Sequence, residues 1–586
     1  MIILMLALAT LQDTTIIIHA ESSSVSLEAR ALPRVVSDEV IRFYNDPGTT
    51  RLVGRTKLPR GNEWRGNVAV RNGPVLVAGR IQGTLAVING DLVFDAGAEV
   101  TGDVIVVGGI VDDTTKAHIG GEVRQYREPL LYRLRKDGDE LVYAPNLRHR
   151  LWNPGAQVSW GTADSRSALT IATGGTFNRV EGLPVVFGPL FDWKLRRNFR
   201  MRIDALGVFR SAGDLSDKRS DLGYMFRGEL RAGDVRSVGL GLRAFDVVSP
   251  VEDWGLHNAE IGWSAFLFGR DYRDYYLNKG WGARAFAQPE RQIELSLEVR
   301  REWQTSVANQ DPWTVFRNSA LWRPNPPIDE GHFTTIALGA VLDGRNDTEE
   351  PTSGWLIRGT FEDSRSTDVV PNTGVPAGLR DSIPTGSYRF DRVFFDIRHY
   401  ARISPGGRVN VRLISGGWVG GDPLPLQRRV SLGGPDPMPG HPFRAAACNN
   451  TFTDRTLAQA NVAACDRVIA FQTEYRGHVK VNWSYNPSKD DKPERDEGSG
   501  GGPGGPGGPR FFWLEGLDVV VFADAGQAWI VGSGPGHVPA GRIPAFSSWL
   551  VDAGLGVDWG GLGVYIAKAV TTGERLRFTV RLDHRF

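Results

Sequence analysis

Apolar and polar residues alternate with a period of two through most of the second half of the chain, most plainly at its end. Phe578, Val580, Leu582 and Phe586 fall on one face of the last segment, and Arg577, Thr579, Arg581, Asp583 and Arg585 on the other, because residues two apart in a strand share a face. Val551, Ala553, Leu555, Val557 and Trp559 alternate likewise with Asp552, Gly554, Gly556 and Asp558. Ile293, Leu295, Leu297 and Val299 alternate with Glu294, Ser296, Glu298 and Arg300. The pattern predicts sixteen strands: 177–192, 197–211, 222–233, 237–248, 258–269, 276–288, 291–303, 332–343, 353–363, 390–403, 407–419, 467–485, 511–530, 547–559, 561–570 and 575–586. Boundary shifts of a few residues would also allow fourteen. Each segment is long enough for a tilted crossing of a bilayer, and one apolar plus one charged face in strand after strand is the pattern of a transmembrane β-barrel. A soluble sandwich of this length would have to carry charged second faces throughout.

Ahead of the barrel the chain repeats itself. Ile81-x-Gly83-x-Leu85 returns nineteen residues on as Val100-x-Gly102-x-Val104, and again as Ile119-x-Gly121-x-Val123. Ala86, Ile88 and Gly90 return at the same step as Ile105, Val107 and Gly109. A short fixed period with apolar residues around a turn glycine predicts a β-solenoid whose coils bury their apolar sides on one another. The fold class expected is therefore all-β: a sixteen-stranded transmembrane barrel over residues 177–586 and a small N-terminal solenoid over 64–125. Residues 21–63 show no sustained period and are read as irregular, and 126–176 as a connector with a short paired element at 140–144. Residues 1–9 are apolar and end in the small-residue cleavage pattern Ala7-Leu8-Ala9, with Ala20 as a second site, and residues 1–20 read as a signal segment for export.

Composition changes little in this picture. Lys and Arg number 68 against 67 Asp and Glu, which gives no electrostatic case for nucleic acid. No run of eighteen apolar residues occurs, so a helical membrane protein is excluded. The slightly negative mean hydropathy suits a barrel, whose lumen side is polar. Val430-Ser431-Leu432-Gly433-Gly434, then Met438-Pro439-Gly440-His441-Pro442-Phe443, resembles the sixth-loop signature of the BamA/TamA superfamily, also called the bacterial surface antigen family. Phe522-x-Asp524-x-Gly526 is similar to that family's lumen-strand motif, Glu474-Tyr475-Arg476 to its preceding strand, and Asn178-Arg179-Val180-Glu181-Gly182-Leu183 to the first barrel strand of some members. The resemblance spans 177–586 and implies that the sixth external loop, residues 420–466, folds back into the lumen. The solenoid resembles the bactofilin type.

Two departures stand out. Pro439 holds the place of the family arginine, and His441 that of its aromatic residue. In the family that arginine pairs with the aspartate, so Asp524 needs either lumen water or a substitute, for which Arg444 is the candidate. Gly440 is expected to let the loop approach the barrel wall, and Phe443 to pack near Phe522. POTRA domains, which the resemblance implies, leave no βαβ periodicity here.

Cys448 and Cys465, the only two cysteines, both fall in the sixth loop. In an exported chain they read as a disulfide, whereas zinc would need more ligands. The Gly- and Pro-rich stretch 487–509 is low-complexity. No nucleophile elbow, metalloprotease helix or phosphate loop occurs, so no enzyme, cofactor or metal is expected. Glu294, Glu298 and Asp396 with Arg300, Arg392, Arg398 and Arg412 read as charge ladders bracing the lumen. The expected setting is the bacterial outer membrane, with the solenoid in the periplasm. Partners would be outer-membrane lipid, unfolded outer-membrane or secreted clients, and periplasmic proteins met by the solenoid. Two function classes stay open: a protein assembly or translocation factor implied by the resemblance, and a passive pore or surface-anchored structural protein.

Overall fold

The structure is a computed structural model. It describes Leu32 and residues 34–586 apart from short stretches, of which the longest are 144–154, 213–221, 375–385, 450–458 and 480–516. The expected signal segment and the Gly/Pro-rich insert lie outside the described residues.

The nineteen-residue repeat becomes the coil of a three-sided parallel β-solenoid, with sheets of five, four and four strands. The repeat step is the pairing step: Ile81 pairs Val100, Leu85 pairs Val104, and Val104 pairs Val123. Its interior is filled by Val70, Val87, Val106, Phe94 and their neighbours, all buried. Glycines recur where coils touch backbone to backbone. A Cβ on Gly109 would lie 2.1 Å from the Gly90 carbonyl oxygen. Gly109→Ala is accordingly expected to cost about 1–3 kcal/mol, read as faster amide exchange over residues 85–126.

The coils begin at Thr50, before the expected residue 64. Residues 21–63 are thus not irregular where they are described: they hold helix α1 (Arg34–Asn45) and the first strands of the solenoid. The first coils escaped notice because their steps are not nineteen residues: Thr50 pairs Val68, and Val68 pairs Leu85. Helix α1 covers the outer face of the five-stranded sheet, where Val40 and Tyr44 pack with Ala86, Ile88, Ile105 and Val107. A hairpin of Tyr132–Leu134 and Leu141–Tyr143 completes that cover.

The rest is one antiparallel sheet of seventeen strands in chain order. They are β1 (Gly155–Gly161), β2 (Ser165–Thr173), β3 (Pro184–Arg196), β4 (Phe199–Arg210), β5 (Leu222–Gly233), β6 (Ser237–Pro250), β7 (Tyr275–Glu290), β8 (Ile293–Ser306) and β9 (Gly331–Asp343). Then follow β10 (Gly354–Ser366), β11 (Tyr388–Ser404), β12 (Gly407–Gly421), β13 (Arg467–Val479), β14 (Leu517–Trp529), β15 (Leu550–Trp559), β16 (Leu562–Ala569) and β17 (Arg577–Arg581). The expected alternation holds. Leu297, Leu338, Val521, Leu555 and Phe578 are exposed on the outer face, while Glu294, Arg300, Asp396, Arg412 and Asp524 are buried on the inner one. An apolar outside around a charged inside is the transmembrane barrel arrangement.

The strand count differs from sixteen for local reasons. The segment expected as a strand at 258–269 is helix α2 (Asn258–Phe268). It is apolar on every side, so Ile261, Trp263, Ala265 and Leu267 mimic a strand's alternation. Glu260 accepts the His257 backbone N–H at 3.2 Å, and Gly269 at φ +62° ends the helix, which are helix-terminus features. The connector 126–176 in turn supplies β1 and β2. Asn178–Leu183 is not a strand but a tight turn closed by an Asn178–Gly182 bridge. One strand lost and two gained leave 422–466 as the sixth loop on its side of the sheet.

Candidate functional site

The sixth loop enters the barrel at an apolar base. Val430, Leu432 and Met438 pack with Ile414, Val468, Ala470 and Ala528 of strands β12, β13 and β14. Gly433 and Gly434 take φ of +118° and +111°, a region that side chains rarely tolerate. A Cβ on Gly433 would lie 2.6 Å from the Ala445 nitrogen, where the loop doubles back on itself. Cys448 and Cys465 are bonded, with Cα atoms 5.1 Å apart and a sequence separation of 17. Reducing this bond is expected to cost about 3 kcal/mol by the chain-entropy estimate, seen as faster proteolysis within the sixth loop.

From that base the loop reaches across to β15. The Gly440 N–H donates to Asp552 Oδ2 at 2.6 Å, and His441 Nε2 lies 3.2 Å from the Val551 carbonyl oxygen. Gly440 therefore does approach the wall as the motif suggested. The two halves of the motif also meet, but through packing: a Cβ on Gly526 would stand 2.9 Å from Leu432 Cδ2.

The charge pairing is not the one expected. Arg444 does not reach Asp524; its guanidinium binds Asp274 at 2.5 Å and Glu252 at 2.7 Å. Asp274 is shared with Arg179 at 2.8 Å and Arg323 at 2.7 Å. The connections after β2, β6, β8 and β12 are thereby clamped at one buried carboxylate. Burial pushes the Asp274 carboxyl up, but Arg323, Arg444 and Arg179 together outweigh it and hold it well below the usual range. Phe443 likewise lies not on Phe522 but against Tyr272, with ring centroids 5.5 Å apart, and beneath Arg444.

Asp524 is instead met by Arg585, whose guanidinium carbon stands 3.8 Å over the Phe522 ring. The reason is the chain end. Strand β17 stops at Arg581, so Leu582 and Phe586 do not continue the outward row of Phe578 and Val580; Phe586 is buried at 6% exposure. His584 lies 3.0 Å from Asp558, and Arg581 reaches Glu260 of α2 at 2.6 Å. Glu260 also accepts the Leu582 N–H at 3.0 Å. The loop carrying α2 crosses the interior, since the Trp254 carbonyl accepts a bond from Arg412 on β12 at 3.0 Å.

The sixth-loop tip, the chain end and the loop of α2 thus converge inside the last strands. Around them runs the expected ladder: Asp396 holds Arg398 at 2.7 Å and Arg412 at 2.8 Å. Glu298 binds Arg243 at 2.6 Å, Glu294 binds Arg284, and Glu362 takes Arg300 at 2.5 Å and Arg392 at 3.5 Å. Glu474 and Arg476 face inward and pair at 2.6 Å. Sequence reasoning missed Asp274 and Glu252, because each sits in a connection where no period marks it, and Glu260, because the segment read as a strand is helix α2. Asp552 was visible as an inward residue of its strand, without a sign of its bond to the loop.

No known family matches the chain, and no curated protein does. Among solved structures it is similar to BamA from Haemophilus ducreyi lacking POTRA domains 1–3, with 11% identity over 77% of this chain and 73% of that one, at a TM-score of 0.38. CdiB from Acinetobacter baumannii follows with 8% identity over 78% and 71%, at 0.28. CdiB from Escherichia coli has 11% identity over 78% and 66%, at 0.27. BamA and CdiB are thus structural neighbours of this chain, at scores that leave its role to be argued from its own residues.

Proposed function

We propose that this chain is an outer-membrane barrel that assembles or translocates other proteins through an opening at the seam between its first and last strands. The observation that carries this reading is the pair of unjoined sheet edges. Among the described residues no pairing links β1 to β17, and these end strands are seven and five residues long. An open strand edge is a template on which another chain adds a strand. The clients of such an edge are unfolded outer-membrane or secreted proteins, and lipid is the solvent of the outer face.

The solenoid belongs on the periplasmic side. Asp91 binds Arg402 near the end of β11 at 3.0 Å, which is the end of the sheet away from the sixth loop. There it can receive periplasmic partners. A passive pore is the weaker reading, because α2, the sixth loop and the chain end lie in the lumen and the clamp around Asp274 draws four connections together. Depletion of the protein followed by an inventory of the outer membrane tests this. Loss of particular barrels or secreted proteins is the expected result; an unchanged inventory with altered solute uptake would favour the pore.

A further inference from the structure

Seventeen is an awkward number for a closed barrel. When neighbours are antiparallel throughout, the first and last strands can meet as antiparallel neighbours only if the count is even. Without β1 the sheet has sixteen strands, and β2 and β17 run in opposite directions as closure requires. With β1 the count is odd, and β1 runs parallel to β17.

The direction of β1 is also unexpected. All odd-numbered strands finish at the end where Arg402 meets Asp91 of the solenoid. Leu141, fourteen residues before β1, packs with α1 on the solenoid's outer face. Gly155, where β1 starts, nevertheless lies at the opposite end of the sheet. β1 thus runs from the far end of the sheet back toward the solenoid end, along the edge of β2.

β1 is held on one side alone. Its seven residues pair with β2 from Gly155↔Ala172 to Gly161↔Arg166, and its other edge has no strand partner among the described residues. Its sequence, Gly-Ala-Gln-Val-Ser-Trp-Gly, has no charge and a glycine at each end. Val158 and Trp160 are exposed on the outer face at 70% and 54%. This is the chemistry of a barrel strand: alternate apolar residues facing lipid, on a backbone ladder.

We propose that β1 is a displaceable strand, with residues 155–161 occupying on the edge of β2 the place that a client's strand takes. The inference rests on the proposed strand-adding role for its purpose, and on the topology alone for its existence. The ligand class is an uncharged strand with apolar residues at alternate positions. Displacement exchanges one antiparallel ladder on β2 for another, so few backbone hydrogen bonds are lost.

The full chain in lipid nanodiscs tests this in two ways. Amide exchange over 155–161 should be about tenfold or more faster than over 293–306, since a strand bonded on one edge opens locally without the barrel. The second test locks β1 with Val158→Cys and Leu169→Cys, which face each other directly across the ladder and both point outward. The probe is a synthetic photoreactive peptide of residues 155–161. The reduced chain should capture it at the edge of β2, and oxidation should lower capture by about tenfold or more. A control lock at Leu297→Cys and Leu338→Cys, paired on the far wall, should leave capture unchanged.

Exchange as slow at 155–161 as at 293–306 would overturn the proposal. So would an absence of capture, or capture indifferent to the β1 lock. Failure of the proposed function reads differently: rapid exchange and lock-sensitive capture, in a protein whose depletion alters no client, would leave the displaceable strand standing and remove its role in assembly.

Discussion

Arg444→Gln is expected to unfasten the outer mouth of the barrel, at a cost of about 3–5 kcal/mol. The Arg444 side chain is 1% exposed and bridges two carboxylates, Asp274 on one side and Glu252 on the other. Removing the cation leaves Glu252, whose side chain is 13% exposed, without its guanidinium. It also takes one of three cations from Asp274, whose own side chain is 2% exposed. A buried ion pair contributes little beyond a packed apolar replacement, but breaking one by removing a partner is costly. The readouts are a lower temperature for the shift in gel migration and faster proteolysis of the sixth loop.

The same cluster sets an acid limit. Burial raises the Asp274 carboxyl and its three guanidiniums lower it further, so its folded value lies below the unfolded one of about 3.9. Its contribution is therefore complete above the unfolded value and is lost as pH falls through the folded one. The parent mouth should stay closed at pH 5 and loosen only well below pH 4. In Arg444→Gln, with one of the lowering cations gone, that loosening should begin at higher pH. Loop proteolysis across a pH series with an acid-tolerant protease measures both.

Gly440→Ala carries the second large effect. An added Cβ would stand 2.5 Å from Asp552 Cβ and 2.9 Å from the Ala569 backbone nitrogen. The backbone of β16 cannot yield as a flexible side chain would, so the loop tip must withdraw. Withdrawal adds the loss of the Gly440 N–H bond to Asp552, a charge-assisted bond of about 1.5–3 kcal/mol, to an overpacking cost of about 1–3 kcal/mol. Protease cutting near residues 437–443 should rise sharply, while amide exchange in the solenoid stays as in the parent. An uncut loop in this variant would mean that the tip is held elsewhere.

Much of the fold was legible because period and pairing are the same physical fact. The nineteen-residue step is the solenoid's register, and a period of two sorts each barrel strand into lipid and lumen faces. Period failed where it is ambiguous or silent. Helix α2 is apolar all round, so any period fits it. Strands β1 and β2 are short, and β2 carries small residues inward, with Ala168 and Ala172 buried, so their contrast is weak.

The site was legible to the level of backbone and no further. Gly440 marked a close approach of the loop to the wall, since a missing side chain has a local cause, while the glycines at 433, 434 and 526 stood in the motifs without a stated role. Charge partners have no such mark. Arg444 and Asp524 each found a buried partner, but Asp274 lies 170 residues from Arg444, and Arg585 lies 61 residues from Asp524. Only the folding of the connections and of the chain end into the lumen brings those pairs together.

The central claim is that client strands enter at the seam. A photoreactive residue placed at Phe578 on β17, at Val158 on β1, or at Leu297 on the far wall tests it most directly; all three point outward. With an arrested, unfolded barrel protein as client, crosslinks are expected from Phe578 and Val158 and not from Leu297. Crosslinking equal at all three positions, or absent from the two seam positions, would contradict the account.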